Sequence, residues 1–201
     1  MKRRRARRCR LPRAWWRIPA ACGILLLLAA IRCGGSWDRL WIDDTRYDAQ
    51  IAAAARRHHL PVALVRALIR QESRFRADAV GSHGEIGLMQ LLPSGAVKEW
   101  ARVYRRPVPA RRQVAEVETN LEIGCWYLSV AMRRWRDYRH GTELALAQYN
   151  AGEKNAARWK PDDPDGAVIP RITWPGTRQY VENIMKYYRK ELASHRDSAL
   201  Q

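Results

Sequence analysis

Cysteines are scarce in this chain, and three of the four lie close to its beginning. Cys9, Cys22 and Cys33 fall within residues 1–36, which leaves Cys125 as the only cysteine in the rest of the sequence. A single thiol cannot build an internal disulfide framework. Cys125 stands in an apolar stretch with helical spacing, and we therefore predict a buried core residue rather than a nucleophile.

Several signatures of chemistry are also missing. Residues 81–84 lack the pattern of a nucleophile elbow, no phosphate-binding loop occurs, and the five histidines lack metal-ligand spacing. The sequence therefore predicts no metal and no cofactor.

Acidic residues are absent from residues 1–36, which hold ten Lys or Arg. An apolar run at 18–31 follows the arginines, and its 14 residues are fewer than the roughly 20 of a membrane-spanning helix. This order of charge and apolar residues is typical of a secretory signal. We predict export to the periplasm or cell envelope, with residues 1–36 acting as a signal peptide or as an anchor in the cytoplasmic membrane. Residues 37–201 then form the folded domain.

The positive charge is concentrated in this leader. The whole chain carries a formal charge of +17, but residues 37–201 hold 27 bases against 20 acids, a net charge of +7. Such a charge suits a polyanionic partner and speeds encounter more than it confers specificity. A basic arm that binds nucleic acid is the alternative, and the apolar run directly after the arginines argues against it. We predict no nucleic-acid partner.

Helical periodicity dominates from Trp37 onward, so the predicted fold class is mainly α. Pro61 suits the first turn of a helix, after which Val65, Leu68, Ile69 and Glu72 recur at helical spacing. Glu72 thus lies on an apolar stripe, where burial raises a carboxyl pKa and makes a general acid. The alternative is an ordinary Glu that is exposed or paired with one of the nearby arginines, Arg70, Arg74 or Arg76.

Later helices are predicted from capping residues and breakers. Ser94, Asn120 and Thr177 are expected to cap three helices, with the Asn120 helix reaching Tyr138. Residues 155–176 contain four prolines and are predicted to be irregular. Trp159 and Trp174 in this segment suit either stacking on sugars or packing of the segment onto the domain.

Four separated motifs accompany Glu72: Glu-Ser at 72–73, Gly-Glu-Ile-Gly-Leu-Met-Gln at 84–90, Gln-Tyr-Asn-Ala-Gly at 148–152 and Thr-Arg-Gln-Tyr-Val at 177–181. Their order and spacing resemble the soluble lytic transglycosylase family, over approximately residues 47–192. The resemblance implies a lysozyme-like α fold in which Glu72 ends a helix and faces a saccharide groove.

The same resemblance implies an enzyme with peptidoglycan glycan strands as its partner. Glu72 matches the catalytic acid/base that cleaves the bond between N-acetylmuramic acid and N-acetylglucosamine without water, leaving 1,6-anhydromuramic ends. The expected substrate-binding residues are Ser73, Ser82, Met89, Gln90, Tyr149, Asn150 and Tyr180. The two tyrosines are also compatible with ordinary core aromatics. The expected oligomeric state is a monomer.

Four positions depart from the family pattern. Gly81 stands where Ser is common, Glu85 where Ala is common, Leu92 where Met is common, and Gly176 where Glu is common. Ser82 is expected to replace the missing Ser. The departures leave two alternatives open: a hydrolytic muramidase resembling goose-type lysozyme, with Glu85 or Asp78 activating water, and a catalytically silent domain that binds the wall.

Overall fold

The computed structural model describes residues 44–199, with side chains described as far as Ser194. The predicted leader, residues 1–36, lies outside this range. The described residues fall within one unit of the chain, Asp43–Gln201. None of the helices in this stretch combines the length and the apolar character needed to cross a membrane.

The mainly α prediction is confirmed. The described residues form eight α-helices: Asp48–Arg57 (α1), Val62–Glu72 (α2), Lys98–Val103 (α3), Arg111–Val114 (α4), Val117–Arg134 (α5), Gly141–Ala151 (α6), Glu153–Trp159 (α7) and Pro175–Ala199 (α8). A π-helical turn, Pro93–Val97, precedes α3, and a short 3-10 helix, Ile169–Arg171, precedes α8.

The core lies where α2 packs on α8 and where α6 packs on α5, α7 and α8. Val65, Leu68 and Ile69 of α2 are fully buried, as their spacing predicted. Arg66 on the same helix ties it to α8 by an ion pair with Glu191, at 3.2 Å. Burial of each large aliphatic side chain contributes about 1.5–3 kcal/mol to the stability of the fold. This packing therefore holds α2, and with it the end of the helix, in place.

Two of the predicted caps are wrong because tertiary contacts recruit their side chains. Helix α5 begins at Val117 rather than at Asn120 and ends at Arg134. Helix α8 begins at Pro175, and the Thr177 hydroxyl donates instead to Asn150 Oδ1, at 2.7 Å.

Two further local predictions also need correction. The element predicted to start at Ser94 begins at Pro93 and is interrupted by non-helical angles at Gly95. The start of the segment predicted to be irregular is helical, since α7 reaches Trp159. Burial of Ala156 and Trp159 against the domain stabilises this helix.

A compact loop, residues 79–91, lies between the end of α2 and the π-helical turn. Isolated antiparallel bridges join Val80 to Ile86 and Ile86 to Leu91. Gly87 adopts a φ of +77°, a backbone conformation that residues other than glycine rarely adopt. Its backbone N–H donates to Ala79 O at 2.9 Å, so the loop is folded back on itself.

Candidate active site

Glu72 is the last residue of α2, at the point where the helix leaves the core. Part of its surface opens to a cavity, yet protein atoms surround its carboxyl group closely. The pKa of Glu72 is raised from 4.5 to about 7. Burial is the largest effect and raises the pKa, the hydrogen bond from Tyr180 lowers it, and the charge of Glu85 raises it. The carboxyl group is therefore largely protonated at slightly acidic pH, as a general acid requires.

The nearby arginines do not pair with Glu72. Within residues 44–194, whose side chains the structure describes, no Lys or Arg nitrogen lies within 4.0 Å of its carboxylate. Arg70 instead pairs with Asp44 at 3.5 Å, and Arg76 donates to the backbone oxygen of Ser73. An arginine beside Glu72 would favour the ionised carboxylate. Because these arginines bind other groups, the protonated form of Glu72 is preserved.

Tyr180 from α8 reaches the carboxyl group of Glu72 across the core. Its hydroxyl donates to Glu72 Oε1 at 2.6 Å. Burial, the largest effect, and the negative charge of Glu72 both raise the pKa of Tyr180 well above its usual value. Tyr180 therefore stays a neutral donor that orients one oxygen of Glu72.

Glu72 opens into a cavity of about 340 Å³. Its wall includes three of the predicted binding residues, Gln90, Tyr149 and Asn150, together with Glu85. A second cavity, of about 590 Å³, is lined by Asn150 and Tyr180, and by Trp174, Gly176 and uncharged polar side chains. Because Asn150 lines both, the two cavities are neighbours.

Tyr149 is held by its own hydrogen bond rather than by Glu72. Its hydroxyl donates to the backbone oxygen of Met89 at 2.9 Å, and its ring contacts that of Tyr127 edge to face, with 5.4 Å between centroids. Tyr149 thus lines the cavity while its polar end is satisfied, and a tyrosine in this situation is suited to packing on a pyranose ring.

Gln90 is oriented by the 79–91 loop. Its Nε2 donates to Ala79 O at 3.2 Å and to Gly87 O at 2.9 Å, and its backbone φ is +46°. Both donors of the amide are therefore used within the loop, which leaves the side-chain oxygen as the available acceptor in the cavity.

The structure does not bring the remaining predicted binding residues to the cavity wall. Ser73 is buried, and its hydroxyl donates to Ile69 O. Met89 is fully buried, although its backbone oxygen holds Tyr149. Ser82 is exposed, and its hydroxyl lies 3.2 Å from His83 Nδ1.

Asn120, predicted from its sequence position to cap a helix, is instead a structural residue of the site. It is fully buried, and its amide accepts from Met89 N–H at 2.9 Å. The same amide donates to Ile86 O at 2.8 Å and to Val114 O at 3.0 Å. Asn120 thereby attaches the loop carrying Gln90 to α5. Its sequence signal, a polar residue on an otherwise apolar helix face, was available but matched a cap equally well.

The departures from the family pattern lie in different places. Glu85 and Leu92 line the cavity beside Glu72, and Gly176 lines the second cavity. A Cβ built at Gly176 would meet nothing within 4 Å, so this wall is open. Asp78 lines a separate cavity with Arg111.

The tryptophans of the segment before α8 divide between packing and exposure. Trp159 is buried, and its indole N–H donates to Thr173 Oγ1 at 3.1 Å. Trp174 contacts it edge to face, keeps 49% of its surface exposed and lines the second cavity. Packing accounts for the first, and only the second presents a ring to solvent.

Cys125 is completely buried, and burial raises the pKa of its thiol to about 12. The predicted core role is confirmed, because a thiol with this pKa is not a nucleophile at neutral pH. In the part of the chain that the structure describes, no three His, Cys, Asp or Glu residues are grouped as metal ligands would be.

Fold and site together define a class of protein: a helical domain whose cavity contains a buried carboxyl group with a raised pKa, oriented by a tyrosine. The model of the Transglycosylase SLT domain family matches residues 49–168. The chain belongs to this family.

Individual relatives agree with this assignment. The chain is 25% identical over 182 residues to the soluble lytic murein transglycosylase of Escherichia coli K12, a match that covers 86% of this chain and 26% of the relative. The chain thus spans about a quarter of that protein's length.

Solved structures show the same likeness. An inactive mutant of the lytic transglycosylase Slt from Pseudomonas aeruginosa matches with a TM-score of 0.63 and 31% identity, over 74% of this chain and 25% of that one. The 70-kDa soluble lytic transglycosylase of Escherichia coli matches with a TM-score of 0.65 and 25% identity, over 73% and 24%.

Proposed function

We propose that this chain is a lytic transglycosylase that cleaves the β-1,4 bond between N-acetylmuramic acid and N-acetylglucosamine in peptidoglycan, with Glu72 as its single acid/base. One observation carries the proposal: a carboxyl group with a pKa of about 7 opens into a cavity lined by amide and aromatic side chains. Family membership supports the substrate class.

In the first step Glu72 acts as the acid. Its proton passes to the glycosidic oxygen, and the bond from C1 to that oxygen breaks with its electron pair going to the oxygen. The carbonyl oxygen of the sugar's own N-acetyl group bonds to C1 and takes up the developing positive charge. Tyr180 occupies Oε1 of Glu72, so we assign the proton transfer to Oε2.

In the second step the Glu72 carboxylate acts as the base. It removes the proton of the C6 hydroxyl, and O6 bonds to C1 while the acetamido oxygen leaves and regains its carbonyl bond. Glu72 is protonated again, no water is consumed, and the product carries a 1,6-anhydro ring. Attack from within the same sugar has an effective molarity on the order of 10⁵–10⁸ M when well oriented.

Hydrolysis by the muramidase route is the second candidate, because Glu85 lines the same cavity as Glu72. Ordinary glycosidases need such a second carboxylate as nucleophile or as base for water. Both oxygens of Glu85 are engaged by His83, Oε2 by its backbone N–H at 2.9 Å and Oε1 by its ring at 3.3 Å. A carboxylate held in this way is a poor base, and we therefore favour internal attack.

The test of the acid/base role is Glu72→Gln in the full chain. Gln is nearly isosteric but cannot donate and recover a proton, so turnover of purified peptidoglycan should fall about 10²- to 10⁴-fold. Helical circular dichroism and sedimentation with insoluble peptidoglycan should be retained. Turnover near that of the wild type would remove Glu72 from this role.

The test of the reaction type is the mass of the released muropeptides. Anhydro products are lighter than hydrated ones by one water, and they resist reduction by borohydride. A product pool dominated by reducible ends would replace transglycosylation with hydrolysis and make Glu85 the candidate base.

The leader supports a location outside the cytoplasmic membrane, since residues 1–36 carry the charge pattern of an export signal. Peptidoglycan lies in the same compartment. A reporter that is active in only one compartment, fused after Gln201, tests this: activity on the cytoplasmic side would contradict export.

A further inference from the structure

At Gly81, the space that a side chain would need is occupied by another residue. A Cβ built on Gly81 would lie 2.2 Å from Glu85 Oε2 and 2.8 Å from Gln90 Oε1. Its backbone does not adopt a positive φ, unlike Gly84 and Gly87. The obstacle to a side chain at position 81 is therefore the Glu85 carboxylate together with the Gln90 amide, and not the conformation of the chain.

The carboxylate of Glu85 is held in this space from one side. The backbone N–H of His83 donates to Oε2 at 2.9 Å, and the His83 ring nitrogen Nδ1 lies 3.3 Å from Oε1. The hydroxyl of Ser82 lies 3.2 Å from the same ring nitrogen. Because neighbouring loop residues hold both oxygens, the charge has a defined position although the loop is at the surface.

Glu85 is ionised at neutral pH. Burial alone raises its pKa, but hydrogen bonds from its own backbone N–H and from His83, with the charge of His83, bring the pKa below its usual value. The carboxylate lines the same cavity as Glu72. A fixed negative charge and a titrating acid therefore share one pocket.

The geometry points to Glu85 as a positioning residue for the acid: its carboxylate, clamped by His83 in the space beside Gly81, sets a fixed negative charge on the wall of the cavity that Glu72 shares and favours the protonated form of Glu72. This role rests on the proposed acid/base function of Glu72 and extends it. A glycan that fills the cavity excludes water, so the interaction between the two carboxyl groups strengthens when the acid is needed.

The other groups around the pair do not supply this effect. Tyr180 and Tyr149 face Glu72 as neutral hydroxyl-bearing rings, and the hydrogen bond of Tyr180 favours the ionised form of Glu72. Arg111 of α4 approaches the loop, but it donates to the backbone oxygen of Gly84 at 3.3 Å. Among the described residues it forms no ion pair with Glu85 within 4.0 Å.

The first experiment compares the wild type with Glu85→Gln, which keeps the size of the side chain and removes its charge. The alkaline limb of the kcat/KM profile should move to lower pH, so activity falls more on the alkaline than on the acidic side. The pKa of Glu72, measured by NMR titration of its side-chain carboxyl carbon in the absence of substrate, should move in the same direction. The Glu72→Gln variant assigns that signal. Glu118→Gln, an exposed residue in the first turn of α5, is the matched control.

The second experiment tests the steric coupling with Gly81→Ser, Glu85→Ala and the double variant. Gly81→Ser alone should push the carboxylate from His83, lower the melting temperature and shift the limb in the same direction as Glu85→Gln. In the Glu85→Ala background the closest obstacle to the added Ser is gone and only the Gln90 amide oxygen remains, 2.8 Å from the Cβ, so the effect of the Ser on melting temperature should be clearly smaller. Additive losses in the double variant would contradict the shared space.

The outcomes separate this proposal from the proposed function. An active Glu72→Gln variant would overturn the function itself. An inactive Glu72→Gln variant, combined with a Glu72 titration that Glu85→Gln leaves unmoved, would overturn the role of Glu85 alone.

Discussion

Replacing Asn120 with alanine should destabilise the protein by about 3–5 kcal/mol, and the magnitude follows from its contacts. The buried amide makes three hydrogen bonds, to Met89 N–H, Ile86 O and Val114 O. Each contributes about 1 kcal/mol net, and a buried partner left without a bond costs about 1–3 kcal/mol. We expect water to enter part of the space left by the amide and to satisfy some of these partners. The total loss of stability should therefore lie in the lower part of the range that these values allow.

The assay is urea unfolding of the full chain, followed by circular dichroism. The control is Asn155→Ala, which removes the bond from the amide to Ala151 O at 2.7 Å and a long, exposed bond accepted from Arg158 at 3.4 Å, and should cost about 1 kcal/mol. At equal folded fraction, Asn120→Ala should also lose more activity, because the loop it holds carries Gln90. A loss of stability no larger than that of the control would refute the claim that Asn120 attaches this loop.

Three other perturbations have defined directions. Tyr180→Phe removes the 2.6 Å hydrogen bond to Glu72, which lowers the Glu72 pKa, so the alkaline limb of activity should move to higher pH, and an unmoved limb would contradict the contact. Glu72 binds its proton more tightly when folded, with a pKa of about 7 against 4.5. Stability should therefore fall by roughly 3 kcal/mol as pH rises through this window, and urea unfolding of Glu72→Gln should lack this dependence. Gly124→Ala places a Cβ 2.3 Å from Met89 Sδ and 2.9 Å from Met89 Cβ, and overpacking of this kind should lower stability by about 1–3 kcal/mol, measured as melting temperature.

Local sequence patterns sufficed for the helix that carries the acid. Pro61 and the apolar spacing of Val65, Leu68 and Ile69 predicted a helix at this place, and the structure has Val62–Glu72 with those side chains buried. Periodicity works here because each turn of a helix presents the same face to the core. The location of Glu72 on that face was therefore readable from the sequence.

The capping predictions failed where a polar side chain had a distant partner. Asn120 bonds to residues 31 and 34 positions away, and Thr177 bonds to Asn150, 27 positions earlier. A cap and a tertiary clamp use the same residue types, since both depend on a short side chain with a hydrogen-bonding oxygen. Nothing within one helix distinguishes them.

The helical class, the family resemblance and the apolar face that holds Glu72 can be read from the amino-acid order alone, because they depend on residue spacing along the chain. The chemical state of that carboxyl group depends on the folded arrangement. It brings Tyr180 to Glu72 from 108 positions away, directs Arg70 to Asp44 instead, and sets Glu85 on the wall of the same cavity. A pKa depends on burial and on the charges nearby in space, and these are fixed only when distant helices pack together.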